Sequence, residues 1–314
     1  MGNPPAFRGA VDELVPTSGN ARVAVIIPCY NGRDFIAEAI ASVQEQSCTS
    51  VDLVVVDDGS TDDSLAMIPR GVARVYRQQN SGVSSARNAG LRSTSAPYVV
   101  FLDADDRLHP HALATGILEL EADSTITMTF GGNAIIDENG DTIGNNSQPP
   151  ARFGFWEVLA GVTPGPSQCV FRRSSLEETG GFDQRFRHGE DWELYLRLSQ
   201  LGPITCHGHQ VSDYRSHSSQ ATRSPTRSFL GMLEVLDAVE SRVPFTKASH
   251  ARFQQARRHW ARIFGQYLPT EAARALWHGD VAAMAQSCNL FVHHLPYSLV
   301  GFCGFVLRRL KRAH

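Results

Sequence analysis

Continuous apolar runs, each ended by polar or acidic residues, recur through the first hundred residues of this chain. Val23-Ala24-Val25-Ile26-Ile27 runs into Pro28, Leu53-Val54-Val55-Val56 into Asp57, and Tyr98-Val99-Val100-Phe101-Leu102 into Asp103. Such runs suit strands covered on both faces of a sheet, where alternation of polar and apolar residues is lost. Between the first two, Ile36, Ala39, Ile40 and Val43 recur at helical spacing. Ser60 or Thr61 is placed to cap a helix carrying Asp62 and Asp63 in its first turn. A shorter strand over residues 73–76 leads to the small-residue segment Asn80–Gly90. Alternating strand and helix patterns predict an α/β fold, a mostly parallel, doubly wound sheet flanked by helices, with a site along the edge where the strands end.

Farther along, Gly189-Glu190-Asp191-Trp192 opens a helix with Leu194, Leu198 and Leu201 on one face, and Gln210–Asp213 reads as an edge strand before Tyr214-Arg215-Ser216-His217. From residue 225 onward the periodicity is helical throughout, including Leu230, Leu233, Leu236 and Val239, then Phe253, Ala256, Trp260 and Phe264. The expected organisation is a loose tail over 1–20, an α/β domain over 21–222, and a helical region over 223–314. The last stretch is apolar from Leu295 to Leu307 and then basic at Arg308, Arg309, Lys311 and Arg312. It is shorter than the roughly 20 residues a bilayer requires, and Pro296 interrupts it. An interfacial helix on an anionic membrane, a helix packed on its own domain, and one packed on another subunit all fit it.

With 314 residues and 42% hydrophobic content, the chain has material for a large core. Its net charge of −3 argues against a nucleic-acid-binding surface. Six cysteines lie scattered without a Cys-x-x-Cys pair and read as free thiols. No basic and then apolar leader is read at the start, so the expected location is cytoplasmic, with peripheral contact at the inner face of the membrane left open.

Candidate chemistry concentrates at Asp103-Ala104-Asp105-Asp106. Hard oxygen ligands at a strand end, without Cys or His beside them in sequence, suit Mg²⁺ or Mn²⁺ holding a substrate phosphate. The plain alternative is a solvated acidic turn, with Asp106 capping the turn over 108–112.

Five segments together resemble family 2 glycosyltransferases, inverting GT-A enzymes that use nucleotide-sugar donors. They are Ile27–Gly32, Val56–Asp62, Asn80–Gly90, Phe101–Asp106, and Gly180–Asp183 continuing through Gly189–Leu194. The resemblance covers roughly residues 22 to 220 and leaves the helical region outside it. It implies a hexosyltransferase-type enzyme taking a nucleoside-diphosphate sugar, with UDP expected, to a hydroxyl of a glycan or lipid-linked acceptor, in surface polysaccharide assembly. It implies Asp105 as ligand of Mn²⁺ or Mg²⁺, Asp103 and Ala104 at the ribose or sugar, and Asp191 as general base. Pro28, Tyr30 and Asn31 would frame the nucleoside. Asp57 or Asp58, with Asp58 favoured, would accept from a uracil N–H. Gly82 would allow close approach of the backbone. Arg87 reads either as a diphosphate partner or as a structural partner of the acids, and His217 either as a group near the diphosphate and metal or as a surface histidine. Trp192 reads as acceptor-side wall or packing.

A Gly- and Pro-punctuated segment, Gly161–Ser167, is expected to be mobile over the site. A phosphoacceptor receiver domain and a non-catalytic nucleotide-sugar-binding protein remain as alternatives; neither accounts as well for Asp103, Asp105 and Asp191 together. A homo-oligomer stays open.

Overall fold

The computed structural model describes residues 20–48, 50–217, 220, 224–295 and 297–303. The described residues form two compact units. One holds those up to 158 together with 162–217; the other holds 159–161 and those from 220 onward. The tail over 1–19 and the basic cluster at Arg308–Arg312 lie outside the described residues.

Ten strands make one sheet in the first unit. They are β1 (Val23–Cys29), β2 (Val51–Asp57), β3 (Arg74–Arg77), β4 (Tyr98–Phe101), β5 (Arg107–Leu108), β6 (Met128–Ile136), β7 (Thr142–Asn146), β8 (Ala151–Phe153), β9 (Cys169–Arg172) and β10 (Ile204–Arg215). Their order is β3-β2-β1-β4-β9-β6-β10-β5, with β7 against β6 and β8 against β10. The half built from β3, β2, β1 and β4 is parallel. Beyond β4 the sheet is mixed: β9 is antiparallel to both β4 and β6, and β6 is parallel to β10. Two reversals restore direction, so β10 ends at the same edge as β1, β2 and β4. That edge therefore collects Asp57, Asp58, Asp103, Asp105 and His217 from strands far apart in sequence.

Both faces of the central strand are sealed. Val23, Val25, Ile27 and Cys29 of β1 pack with Ile36, Ala39, Ile40 and Val43 of α1 (Ile36–Gln44) and with Leu113, Ile117 and Leu120 of α3 (Ala112–Ala122). On the opposite face Ile26 meets α2 (Val83–Ser93) at Gly90, where an added Cβ would lie 2.3 Å from the Ile26 Cγ2. Every residue of β1 is buried, which is why its sequence shows no alternation.

Three local expectations are corrected. Pro28 does not end β1; it pairs in register with Val56. Its peptide groups face the β4 side, where β4 has already stopped at Phe101, so the missing N–H interrupts no ladder. The segment after Asp62 forms only a short 3₁₀ turn, Ser64–Met67, and the Ser60 hydroxyl caps no helix because it accepts from the Asn31 N–H instead. Residues 210–213 are not an edge strand; they belong to the twelve-residue β10, bounded by β6 and β5.

The second unit is helical: α7 (Pro225–Arg242), α8 (Lys247–Gly265), α9 (Leu268–Trp277) and α10 (Val281–His293). Ser224, Thr246 and Asp280 cap α7, α8 and α10 through side-chain oxygens. Phe229, Ala261, Leu268 and Leu290 form its core. No helix of the described residues is long and apolar enough to cross a membrane.

The α2–β1 contact gives a stability test. Gly90→Ala should destabilise the protein by about 1–3 kcal/mol through overpacking, despite the better helix propensity of alanine. Combining it with Ile26→Ala, which removes the obstructing methyl, should give a loss in denaturant unfolding smaller than the sum of the two single losses.

Candidate functional site

The first wall of the site is a pair of interlocked loops after β1 and β2. Asn31 adopts the left-handed conformation (φ 52°), which asparagine tolerates. Its N–H donates to the Ser60 Oγ at 3.0 Å, its Oδ1 accepts from the Thr61 N–H at 2.9 Å, and the Gly32 N–H reaches the Ser64 Oγ at 2.8 Å. The loop backbone is thereby fixed, while the Tyr30 ring is 52% exposed and free to meet a flat ligand. A Cβ on Gly32 would come within 3.4 Å of the Ala104 Cβ, so this loop approaches the Asp103–Asp106 turn closely.

Asp57 and Asp58 are both buried but differ in their partners. Asp57 accepts from the Ser60 N–H and pairs with Arg77 at 3.1 Å. Asp58 accepts from the N–H groups of Ser81 and Gly82, each at 2.8 Å, and from the Gln78 Nε2 at 2.6 Å. Three of the four acceptor positions of the Asp58 carboxylate are thus committed to the loop before α2, and one remains for a ring N–H. Gly82, with φ 91°, turns that loop into the helix.

Behind the acidic turn stands a buried frame that the sequence did not reveal. The Ser167 hydroxyl donates to the Asp106 Oδ2 at 2.6 Å and accepts from the Asp103 N–H at 3.1 Å. Arg215 donates its backbone N–H to the Asp106 Oδ1 and its Nε–H to the Asp105 carbonyl. Its guanidinium, fully buried, also pairs with Glu38 at 2.7 Å and lies 4.6 Å from the Phe35 ring. Asp106, for which capping the following turn was the plain alternative, bonds instead to Ser167 and the Arg215 N–H. It is a buried anchor for two distant segments, and burial together with Asp105 and Asp103 pushes its carboxyl well above the ordinary range. Ser167 is buried in a 3₁₀ turn, Pro166–Gln168, so this end of the segment expected to be mobile is instead bonded to the acidic turn.

Asp105 and His217 come together across 112 residues: the His217 Nε2 is 2.8 Å from the Asp105 Oδ2, and its ring lies 5.1 Å from Phe35. Among the described residues no group of three or more His, Cys, Asp and Glu side chains is arranged to hold a metal ion. One carboxylate and one imidazole would nonetheless suit a Mn²⁺ or Mg²⁺ that took its other ligands from substrate phosphates and water.

The third wall is the start of α6 (Glu190–Leu201), entered through Gly189 at φ 76°. Arg87 of α2 joins it to the acidic turn: one side of its fork is 2.7 Å from the Asp103 Oδ1, the other 3.0 Å from the Glu190 Oε1. Of the two readings of Arg87, this arrangement displays the structural pairing. Beside Glu190, the Asp191 carboxyl is pushed up to about 7, first by burial and then by the charge of Glu190, against the opposing pull of Arg87 and a hydrogen bond from the Trp192 N–H. The helix terminus alone would make Asp191 a weak base; its surroundings give it a proton affinity suited to base catalysis near neutral pH. Trp192 is packing: it is 1% exposed and its indole N–H donates to the Val158 carbonyl.

Known proteins resemble this chain in sequence and in fold. The chain is 30% identical over 187 residues to a chondroitin synthase of Escherichia coli, covering 58% of this chain and 27% of that one. It is 27% identical over 254 residues to the putative teichuronic acid biosynthesis glycosyltransferase TuaG of Bacillus subtilis, covering 77% and 97%. The chain thus spans nearly all of the Bacillus protein but about a quarter of the Escherichia one. Among solved structures, residues 1–349 of S. aureus TarS in complex with UDP-GlcNAc match with a TM-score of 0.63 at 17% identity, over 88% of this chain and 82% of that one. The mannosyltransferase PcManGT from Pyrobaculum calidifontis, in complex with GDP-Man and Mn²⁺, matches with a TM-score of 0.58 at 20% identity, over 96% and 91%. These likenesses establish the fold as of the GT-A kind. Residues 24–180 match the model of glycosyl transferase family 2, and the chain belongs to that family of glycosyltransferases.

Proposed function

We propose that the protein is an inverting, metal-dependent glycosyltransferase that moves a sugar from a UDP donor to a hydroxyl of a glycan or lipid-linked acceptor in polysaccharide assembly. The observation that carries this reading is the convergence, through Arg87, of the Asp103–Asp106 turn and the Asp191 helix on one edge of the sheet. A donor-phosphate region and a carboxylate of raised proton affinity are what a single displacement at an anomeric carbon requires. Support for the donor class comes from TarS bound to UDP-GlcNAc and from PcManGT bound to GDP-Man and Mn²⁺. Support for the pathway comes from relatives described as chondroitin, hyaluronan and teichuronic acid enzymes.

In this reading the base stacks on Tyr30, Pro28 and Asn31 frame it, and the free acceptor position of Asp58 takes its ring N–H. Asp103 and Ala104 meet the ribose or the sugar. Asp105 and His217 hold the Mn²⁺ or Mg²⁺, which when bound neutralises charge on the diphosphate. Asp191 takes the proton of the acceptor hydroxyl as the new oxygen–carbon bond forms on the face opposite the departing diphosphate. The bond from the anomeric carbon to the phosphate oxygen breaks, and its electron pair leaves with the nucleotide.

Leu295, Leu299 and Val300 are exposed apolar residues beside the basic C-terminal sequence. We include peripheral contact with an anionic membrane in the proposal on that ground.

Five measurements check the reading. A UDP-release assay across a panel of UDP-sugars should show metal-dependent turnover with at least one, and none with any donor would contradict it. Asp105→Asn should nearly abolish turnover and remove the Mn²⁺-dependent protection by UDP against thermal unfolding. Asp191→Asn should lower kcat by roughly 10² to 10⁴ while donor affinity survives. In the native enzyme kcat/KM should fall as pH drops below about 7, because the base works only when ionised. Deleting Arg308–His314 should abolish low-salt co-sedimentation with anionic vesicles and spare activity on a soluble acceptor.

A further inference from the structure

Glu190 stands next to the proposed base, yet its carboxylate is turned to Arg87 rather than toward the space over the acidic turn. Its side chain is 13% exposed, and that of Arg87 is 4% exposed. The Arg87 guanidinium lies 5.1 Å from the Phe182 ring centroid, and its two terminal nitrogens are divided between Asp103 and Glu190. Such a fork holds two carboxylates in a fixed relation that a lysine could not reproduce. The groups interacting electrostatically with Asp191 come from every neighbouring element: Glu190 and Tyr195 on its own helix, Arg87 on α2, Asp103 after β4, and Cys169 on β9. Tyr195 and Cys169 are bonded to each other, and burial pushes both upward, so they remain neutral near pH 7. Of the charged neighbours, Glu190 and Arg87 act on Asp191 in opposite directions and are bonded to each other.

We propose that Glu190 and Arg87 are positioning residues for Asp191: Glu190 strengthens Asp191 as a proton acceptor, and Arg87 fixes Glu190 in place and limits the effect. This inference rests on Asp191 as the general base, and it goes beyond that role by assigning a function to its neighbours. Two like charges side by side raise the proton affinity of the one that is less well compensated, here Asp191. Glu190 holds the Arg87 ion pair at 3.0 Å. Burial first, and then the charge next to it, turn a carboxylate at a helix terminus into a base matched to neutral pH.

The test compares Glu190→Gln with the native enzyme and reads two quantities. Asp191 is titrated by carboxyl ¹³C NMR in protein labelled at aspartate, with Asp191→Asn identifying its signal. The acid limb of kcat/KM is measured in parallel. Glu190→Gln, which keeps the shape and an oxygen for Arg87, should lower both midpoints by about one pH unit, the low end for a neighbouring charge. It should also reduce the plateau rate while KM for the donor stays within about twofold, a smaller effect than any single well-made contact carries. Arg87→Gln, verified as folded by circular dichroism, should raise the Asp191 midpoint. An unchanged Asp191 midpoint in Glu190→Gln would overturn the inference even if Arg87→Gln failed to fold. If the NMR midpoint moved but the acid limb did not, the charges would be acting as inferred and Asp191 would not be the base.

Discussion

Five carboxylates, Asp103, Asp105, Asp106, Glu190 and Asp191, crowd one edge of the sheet, and the site depends on how that negative charge is compensated. Isolated buried carboxylates are costly, and like charges at this density raise one another's proton affinity. Two buried arginines and one histidine answer this from three elements. Arg87 pairs with Asp103 and Glu190, His217 meets the Asp105 carboxylate, and Arg215, itself paired with Glu38, gives its backbone N–H to the Asp106 carboxylate and its Nε–H to the Asp105 carbonyl. The compensation is uneven. Asp106 is held high by burial within the frame, while Asp191, with no arginine ion-paired to it among the described residues, is pushed up to about 7 by burial and then by the charge of Glu190. Unequal compensation is how one acidic cluster would supply, in the proposed reading, a structural anchor, a metal ligand and a base.

The sheet makes this possible by bringing separate strand ends to one edge. β1, β2 and β4 place their loops there because they are parallel and adjacent. β10 arrives only because the two antiparallel pairings of β9 return the chain to its first direction. Close contacts fix the spacing: Gly90 lets α2, and with it Arg87, lie against Ile26, and Gly32 lets the first loop approach Ala104. Residues remote from any substrate thereby set the reach of those that would touch it.

The parallel half of the fold was legible in the sequence because its evidence is local. Continuous apolar runs marked β1, β2 and β4, helical spacing marked α1 and α6, and the acidic residues stood where the strands ended. The mixed half was not, since the pairing of β9 with β4 and β6 leaves no periodic trace, and β10 was read as an edge strand because only its last residues carry a distinctive pattern. The same distinction holds in the site. Asp103, Asp105 and Asp191 announced themselves within short motifs. Ser167, Glu190 and Arg215 also lie in segments that stood out in the sequence, but their roles did not show there, because those roles come from partners 61, 103 and 109 residues away. For the same reason Asp106 had no role assigned beyond the plain alternative of a cap. Its sequence neighbours suggested a turn, whereas its partners lie on two distant segments.

As proposed, a single base facing a donor held at its phosphates would allow one stereochemical course. The most direct test is the ¹H NMR signal of the first-formed sugar when the metal-loaded enzyme slowly hydrolyses a UDP-α-sugar, water taking the place of the acceptor. A single displacement assisted by Asp191 predicts the β-anomer first, with the α-anomer appearing later as the free sugar equilibrates. An initial α-anomer would contradict the account.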